Sequence, residues 1–301
     1  MPSEGIHSTQ LFGADVAELP RLNGIIRAWE QGRLALASFA QPERQVAIDF
    51  STAPYDAIVF EMEHNSWNAD ALQDSLQYLL NRRQIYDARS LAPSVTPIVR
   101  IPANGFEKNQ WLAKQALDCG AYGVVWPHIS SAEQAYNAVA ACRYPRQKTA
   151  PIYEPVGARG DGPHAACRYW GLSQQEYYGK ADVWPLNPLG EILVLLMIED
   201  GQGIANLSDM LRSVPGIGGV LIGEGDLSQE LGYPRQYDHP IIKDAIAQIV
   251  RTCKEHRVPV GHPHVTSNNL ENVVAQGFQL LMSAPVRSYD VIDRARGLSR
   301  S

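Results

Sequence analysis

The sequence predicts an α/β fold built as one (β/α)₈ TIM barrel, and three observations predict it. A short apolar run followed by a helix-compatible stretch recurs from one end of the 301 residues to the other. Ionisable residues gather at the C-terminal ends of those runs, where a barrel places its chemistry. No GxGxxG phosphate loop follows the first run, which separates a barrel from an open dinucleotide-binding sheet.

The eight runs are Arg33–Ala40, Asp56–Met62, Thr96–Pro102, Gly123–Ile129, Leu193–Glu199, Gly218–Glu224, Pro259–Val265 and Phe278–Ala284. Bulky apolar side chains fill the bodies of most of them, as in strands buried on both faces. Between them, stretches such as ALQDSLQYLLNRR and HPIIKDAIAQIVRTCKEH place apolar residues every three or four positions, the spacing of amphipathic helices. Gly120 and Gly277 stand where C-terminal caps do, and Ser130 with Glu133 has the spacing of a capping box. Strand and helix alternate throughout, so the strands are expected to be parallel. No linker or charge run divides the chain, so residues 1–20 read as an N-terminal extension and 21–301 as a single barrel. A proline- and aromatic-rich excursion at about 144–191 interrupts the rhythm.

Composition narrows the function classes. With 45% apolar and 19% charged residues the chain is that of a globular protein, and its formal charge of −6, without a Lys/Arg cluster, argues against nucleic-acid binding. No run is long enough to span a membrane, and the first residues lack the basic flank and apolar core of a signal peptide, so a cytoplasmic setting is expected. Cys119, Cys142, Cys167 and Cys253 are widely spaced and read as reduced and structural.

The candidate chemistry sits at the run ends. Glu199 closes LVLLMIE and Asp226 follows GVLIG, which in a barrel sets two carboxylates on neighbouring strand exits, a hard-oxygen site suited to a divalent metal. The alternative is that Asp226 N-caps a helix near Leu227 while Glu199 pairs with a basic residue. Arg100, in TPIVRIPAN, can meet a carboxylate or a developing oxyanion, or form a salt bridge to Glu61 or Glu63. His64, in FEMEHNSW, is placed to move a proton or orient a water, or simply to hydrogen-bond. His128 ends the fourth run. His262 and His264, in VGHPHV, share one strand face, and substrate contact suits them better than metal ligation because Pro263 separates them.

These segments together resemble the HpcH/HpaI aldolases and their citrate lyase β-subunit relatives, from about Asn23 to Ser288. The resemblance rests on the order and spacing of YDAIVFEMEHNSWN, TPIVRIPAN, ALDCGAYGVVWPHISSAEQA, LMIED and PGIGGVLIGEGDLSQELG. It implies a barrel of the phosphoenolpyruvate/pyruvate type and a class II aldolase that makes or cleaves a bond to a 2-oxo acid such as pyruvate, with an aldehyde as partner. Carried over by residue, it implies Glu199 and Asp226 as ligands of Mg²⁺ or Mn²⁺, with Co²⁺ a further candidate. Arg100 would face the keto oxygen, His64 would be the catalytic histidine and Asp118 its support, often from a neighbouring subunit. The backbone at Gly225 and Asp226 would hold the substrate carboxylate. A homo-oligomer, trimer or hexamer, is implied, with a C-terminal helix near Ala284–Arg296 exchanged between subunits.

Three positions depart from the commonest pattern of that family: Glu61 for an aspartate, Met197 in LMIE where VQIE is usual, and Glu224 in GEGDLS where GPADLS is usual. Glu224 adds a carboxylate beside the metal ligand. Together with Trp126, His262 and the aromatics of the excursion, it is expected to shape the second-substrate site, suiting a bulky or aromatic aldehyde. An acyl-CoA lyase or thioesterase of the citrate lyase β type, or a family member with redirected chemistry or a sensor role because of Glu61, Met197 and Glu224, is the alternative.

Overall fold

A computed structural model describes residues 20–102, 105–108 and 110–285. The N-terminal extension and most of the expected C-terminal helix lie outside the described residues.

Nine strands form: β1 Ala35–Ala40, β2 Ala57–Glu61, β3 Thr96–Arg100, β4 Gly123–Trp126, β5 Val183–Trp184, β6 Ile192–Ile198, β7 Gly219–Ile222, β8 Val260–His262 and β9 Leu280–Met282. All pairings are parallel. The sheet runs β4-β3-β2-β1-β9-β8-β7-β6, and a β4–β6 pairing closes it into an eight-stranded barrel with β5 attached outside the ring at β6. Each expected run therefore became a barrel strand; β6 keeps its full length shifted by one residue, β1 loses its first two residues, and the others end earlier because their last residues turn into the loops at the mouth. β6 is buried at all of its seven positions, as the central wall of a doubly covered sheet requires.

The outer helices follow the expected spacing. Leu72, Leu76 and Leu79 line the buried face of the helix Ala69–Leu79, and Ile242, Ile246, Ile249, Val250 and Cys253 that of Pro240–Glu255. Gly120 and Gly277 cap their helices at φ 117° and 100°, a left-handed conformation that costs glycine little. The capping box expected at Ser130 and Glu133 does not form, and the N-cap is one residue later. Ser131 is the N-cap and accepts from the Gln134 amide, while Ser130 Oγ binds Asp200 at 2.5 Å.

The excursion contains the helices His164–Trp170 and Gln174–Lys180 together with β5. Its aromatics are internal packing. Trp170 stacks on Tyr122 with centroids 4.0 Å apart, and Tyr177 meets Trp170 edge-on at 4.9 Å. Arg143 ties the segment down: its buried guanidinium donates to Asp182 at 2.7 Å and to the carbonyls of Ile152 and Pro155 at 2.9 and 2.7 Å. Breaking a buried pair from one side leaves a desolvated charge behind. Arg143→Ala should therefore lower the unfolding free energy by about 3 kcal/mol, Arg146 still partly compensating Asp182 at 2.6 Å. Urea unfolding checks this, and a loss below about 1 kcal/mol would mean the excursion is held mainly by its aromatic contacts.

Candidate active site

The barrel's pleat decides which side chains meet. Glu61 and Arg100 are register partners on β2 and β3, and Met197 on β6 points to the same interior, its sulfur 3.7 Å from Arg100 Nη1. Phe39 of β1 lies under the guanidinium at 4.6 Å from its ring centroid. Side chains from four strands thus converge at the C-terminal mouth, as in other barrels of this kind.

Both salt bridges weighed for Arg100 exist. Its Nε donates to Glu61 Oε2 at 2.6 Å, and Nη1 lies 3.1 Å from Glu63 Oε2. Glu61 also accepts from the backbone amides of Glu63 and His64 at 2.8 and 3.2 Å, so it shapes the turn as well as orienting Arg100. Burial raises the Glu63 carboxyl, Arg100 opposes that shift, and Glu199 adds to it.

Glu199, one residue beyond β6, is almost wholly buried. Glycine at 223 makes room for it, since a Cβ there would overlap the Glu199 carboxylate. Glu199 Oε1 accepts from the His128 backbone amide at 2.8 Å. Its carboxyl is pushed up to about 7, first by burial, with the His128 amide lowering it and Asp226 raising it again. Asp226 lies in the first turn of the helix Glu224–Glu230, whose N-cap is Gly223, so Asp226 is not the cap.

His128, Glu199 and Asp226 each bring one ligand atom to within 4.8 Å of the others. This donor set of two carboxylates and an imidazole fits a divalent cation. His128 ended the fourth run in the sequence, but only the β4–β6 pairing sets it beside Glu199. Its backbone holds φ 49°, turning the ring over the mouth with Nδ1 3.8 Å from Glu199 Oε1 and Nε2 3.8 Å from Glu63 Oε1.

Other expected residues fall elsewhere. His64 is at the rim, its side chain 65% exposed and Nε2 3.6 Å from Glu63. Asp118, on the helix Trp111–Cys119, accepts from Arg159 Nη2 at 2.8 Å, and burial raises its carboxyl. A Cβ at Gly225 would meet nothing within 4 Å, leaving open space beside that backbone. Trp126 is a correction. It is 2% exposed and faces the helix layer, where its indole lies against the Cys142 thiol, so it does not touch the mouth. In β4 it stands one residue past Val125, the register partner of Arg100, and the pleat turns it outward. Glu224 is turned away from Glu199 and lies beside His262 and His264. His262 is 8% exposed with both ring nitrogens engaged, which makes it a support for its neighbours in place of the expected substrate contact.

The fold and this mouth define a barrel enzyme with an acidic site, buried at Glu199 and open at Asp226, whose donors suit a divalent cation. The sequence profile of the HpcH/HpaI aldolase/citrate lyase family matches residues 39–284. The chain belongs to that family, and it is a carbon–carbon lyase of the aldolase class. It is 29% identical to a 2-keto-3-deoxy-L-rhamnonate aldolase of Klebsiella pneumoniae subsp. pneumoniae over 86% of this chain and 84% of that protein. Similarity to a hydroxypyruvate/pyruvate aldolase of Roseobacter denitrificans is 32% identity over 71% of each chain. Among solved structures, an HpcH/HpaI aldolase/citrate lyase family protein from Burkholderia cenocepacia J2315 shares the fold with a TM-score of 0.68 and 24% identity, covering 89% of this chain and 92% of that one.

The raised Glu199 carboxyl sets a pH dependence. A metal held by Glu199 would compete with a proton for the same oxygens, so its affinity should be full above about pH 7 and fall as pH drops through that value. Calorimetric titration with Mn²⁺ should show affinity decreasing about tenfold per pH unit below this point. A profile flat from pH 7.5 to 5.5 would place the cation away from Glu199.

Proposed function

We propose that this chain is a divalent-metal-dependent aldolase that cleaves or forms the carbon–carbon bond between a 2-oxo acid of the pyruvate type and an aldehyde. The observation that carries this reading is the buried Glu199 facing Asp226 and His128: two acids share one site, and Arg100, paired with Glu61 and Glu63, acts on Glu199 as a nearby charge that only partly offsets its burial. Two carboxylates so placed repel unless a proton or a cation lies between them. The imidazole in the donor set favours Mn²⁺ or Co²⁺ somewhat over Mg²⁺, which prefers oxygen alone.

A divalent ion bound there supplies Lewis-acid stabilisation of the oxygen charge that develops when the bond breaks. The chain's own residues supply the rest. Arg100, held rigid by Glu61 and Glu63, presents a fixed positive charge to the keto oxygen. The open backbone at Gly225 and Asp226 receives the substrate carboxylate at the start of the helix Glu224–Glu230. His64, free at the rim, moves the proton of the aldol hydroxyl. Asp118 is kept as the residue that steadies such a histidine across a subunit boundary, which makes the working unit a homo-oligomer. Residues 21–301 act as one barrel unit after an N-terminal extension. Among the described residues no helix is long and apolar enough to cross a membrane and the four cysteines are free, in keeping with a cytoplasmic setting.

Dialysis against a chelator should abolish pyruvate release from a 4-hydroxy-2-oxo acid, followed with lactate dehydrogenase, and added Mn²⁺ or Mg²⁺ should restore it. The Glu199→Gln/Asp226→Asn protein should lose at least about 10³-fold in kcat/KM at any metal concentration. Undiminished cleavage by the metal-stripped double variant would end this reading.

A further inference from the structure

His128 reaches the metal carboxylates from a loop, and hydrogen bonds grip that loop on either side of the histidine. The residue holds φ 49°, a left-handed backbone in which a side chain crowds the carbonyl that follows it, so it persists where neighbours over-determine it. Those neighbours belong mostly to the exit of β6 and to the helix Gly201–Ser213 that follows. The Met197 carbonyl accepts from the Ile129 amide at 3.2 Å, and the Glu199 carboxylate from the His128 amide at 2.8 Å.

Ser130 completes the grip. Because Ser131 caps the helix Ala132–Ala141, the Ser130 hydroxyl is released from the capping role its spacing suggested. It donates to Asp200 Oδ2 at 2.5 Å, while the Ser130 amide donates to Gln134 Oε1 at 2.7 Å and its carbonyl accepts from Asn206 Nδ2 at 2.8 Å. Asp200 is the N-cap of the helix Gly201–Ser213 and also accepts from the Gly203 amide at 2.5 Å. Glycine at 203 permits this approach: a Cβ there would stand 3.1 Å from the Ile129 carbonyl oxygen and 3.2 Å from Asp200 Oδ1.

Two adjacent carboxylates therefore divide the work. Glu199 faces the candidate metal position and holds the His128 amide, while Asp200, next in the chain, holds Ser130. The bonds to Met197, Glu199, Asp200 and Asn206 join the histidine loop to the same strand exit and helix that carry Glu199. They fix the span between the imidazole and the Glu199 oxygens, with His128 Nδ1 3.8 Å from Glu199 Oε1. That span bears on the choice of ion. Mg²⁺ prefers oxygen and gains little from a nitrogen, whereas a transition metal gains from an imidazole held at bonding distance. An imidazole on an unfastened loop would lose freedom at each binding event and discriminate less.

We infer that Ser130 and Asp200, with Asn206, are positioning residues that hold His128 as the third donor of the metal site and so set its preference for Mn²⁺ over Mg²⁺. This rests on the metal-dependent reading above and adds to it the residues that fix the nitrogen donor. They act on the ion only through the backbone of His128.

The test is made on the full chain with two readouts. Paramagnetic resonance of Mn²⁺ gives its affinity and, by competition, that of Mg²⁺; the electron spin-echo spectrum of bound Mn²⁺ shows whether a nitrogen is coordinated. The wild type should show a bound nitrogen that His128→Ala removes. Ser130→Ala should lower the Mn²⁺-over-Mg²⁺ affinity ratio about tenfold and weaken the nitrogen signal. Asp200→Ser, which keeps a helix-capping hydroxyl but is too short to reach Ser130, should do the same. Ser130→Thr, which keeps the hydroxyl, should stay within about twofold of the wild-type ratio. A ratio and signal unchanged within about twofold in both Ser130→Ala and Asp200→Ser, or an equal loss of both ions, overturns the inference alone. So does a metal-loaded wild type without a nitrogen signal. A wild type that binds neither ion overturns the metal-dependent reading and this inference with it.

Discussion

The constraint on which the rest of this molecule depends is the proximity of a buried Glu199, at the end of an apolar strand, to an exposed Asp226 at the mouth of the barrel. Both stand at exits of adjacent strands, and glycine at 223 lets the Glu199 carboxylate lie against the backbone that leads to Asp226. Burial alone would push Glu199 toward its neutral form, and the neighbouring acid adds to that push. A divalent cation relieves both effects at once. The site is therefore one whose charge balance is incomplete in the protein alone, which is what a metal-binding site built before its metal arrives has to be.

The same accounting extends over the mouth. Glu61, Glu63, Glu199 and Asp226 bring four carboxylates to face the single guanidinium of Arg100. Arg100 is committed to Glu61 and Glu63, so its charge stabilises that side of the mouth and leaves the Glu199 side for a cation. Met197, in place of an amide-bearing residue, packs its sulfur against Arg100 and adds no competing donor. Glu61 reaches far enough to hold both Arg100 and the turn before His64. Two of the departures from the family pattern thus reinforce the positioning of one arginine. Glu224 does something different, organising histidines on the next strand.

Much of this was legible in the sequence, and the parts that were not share a cause. Apolar runs alternating with amphipathic stretches report burial, and burial on both faces points to parallel strands covered by helices, so all eight barrel strands and the acids at two neighbouring strand exits could be located. What a run cannot report is the neighbour it pairs with. His128 was visible as a strand-exit histidine, but its place beside Glu199 follows from β4 pairing with β6 across the excursion. Trp126 was given to the substrate because its strand was known and its face was not. The direction of Glu224 depends on the rotation of a short helix, and the anchoring of the excursion by Arg143 joins residues about forty apart in the chain. None of these leaves a local pattern.

The central claim is that His128, Glu199 and Asp226 hold one divalent cation. The most direct test is an anomalous difference map from crystals soaked in Mn²⁺. A single strong peak is expected about 2.1 Å from carboxylate oxygens of Glu199 and Asp226 and from a ring nitrogen of His128. A map with no peak between those residues at saturating Mn²⁺, or with its peak beside Glu224, His262 and His264, would contradict it.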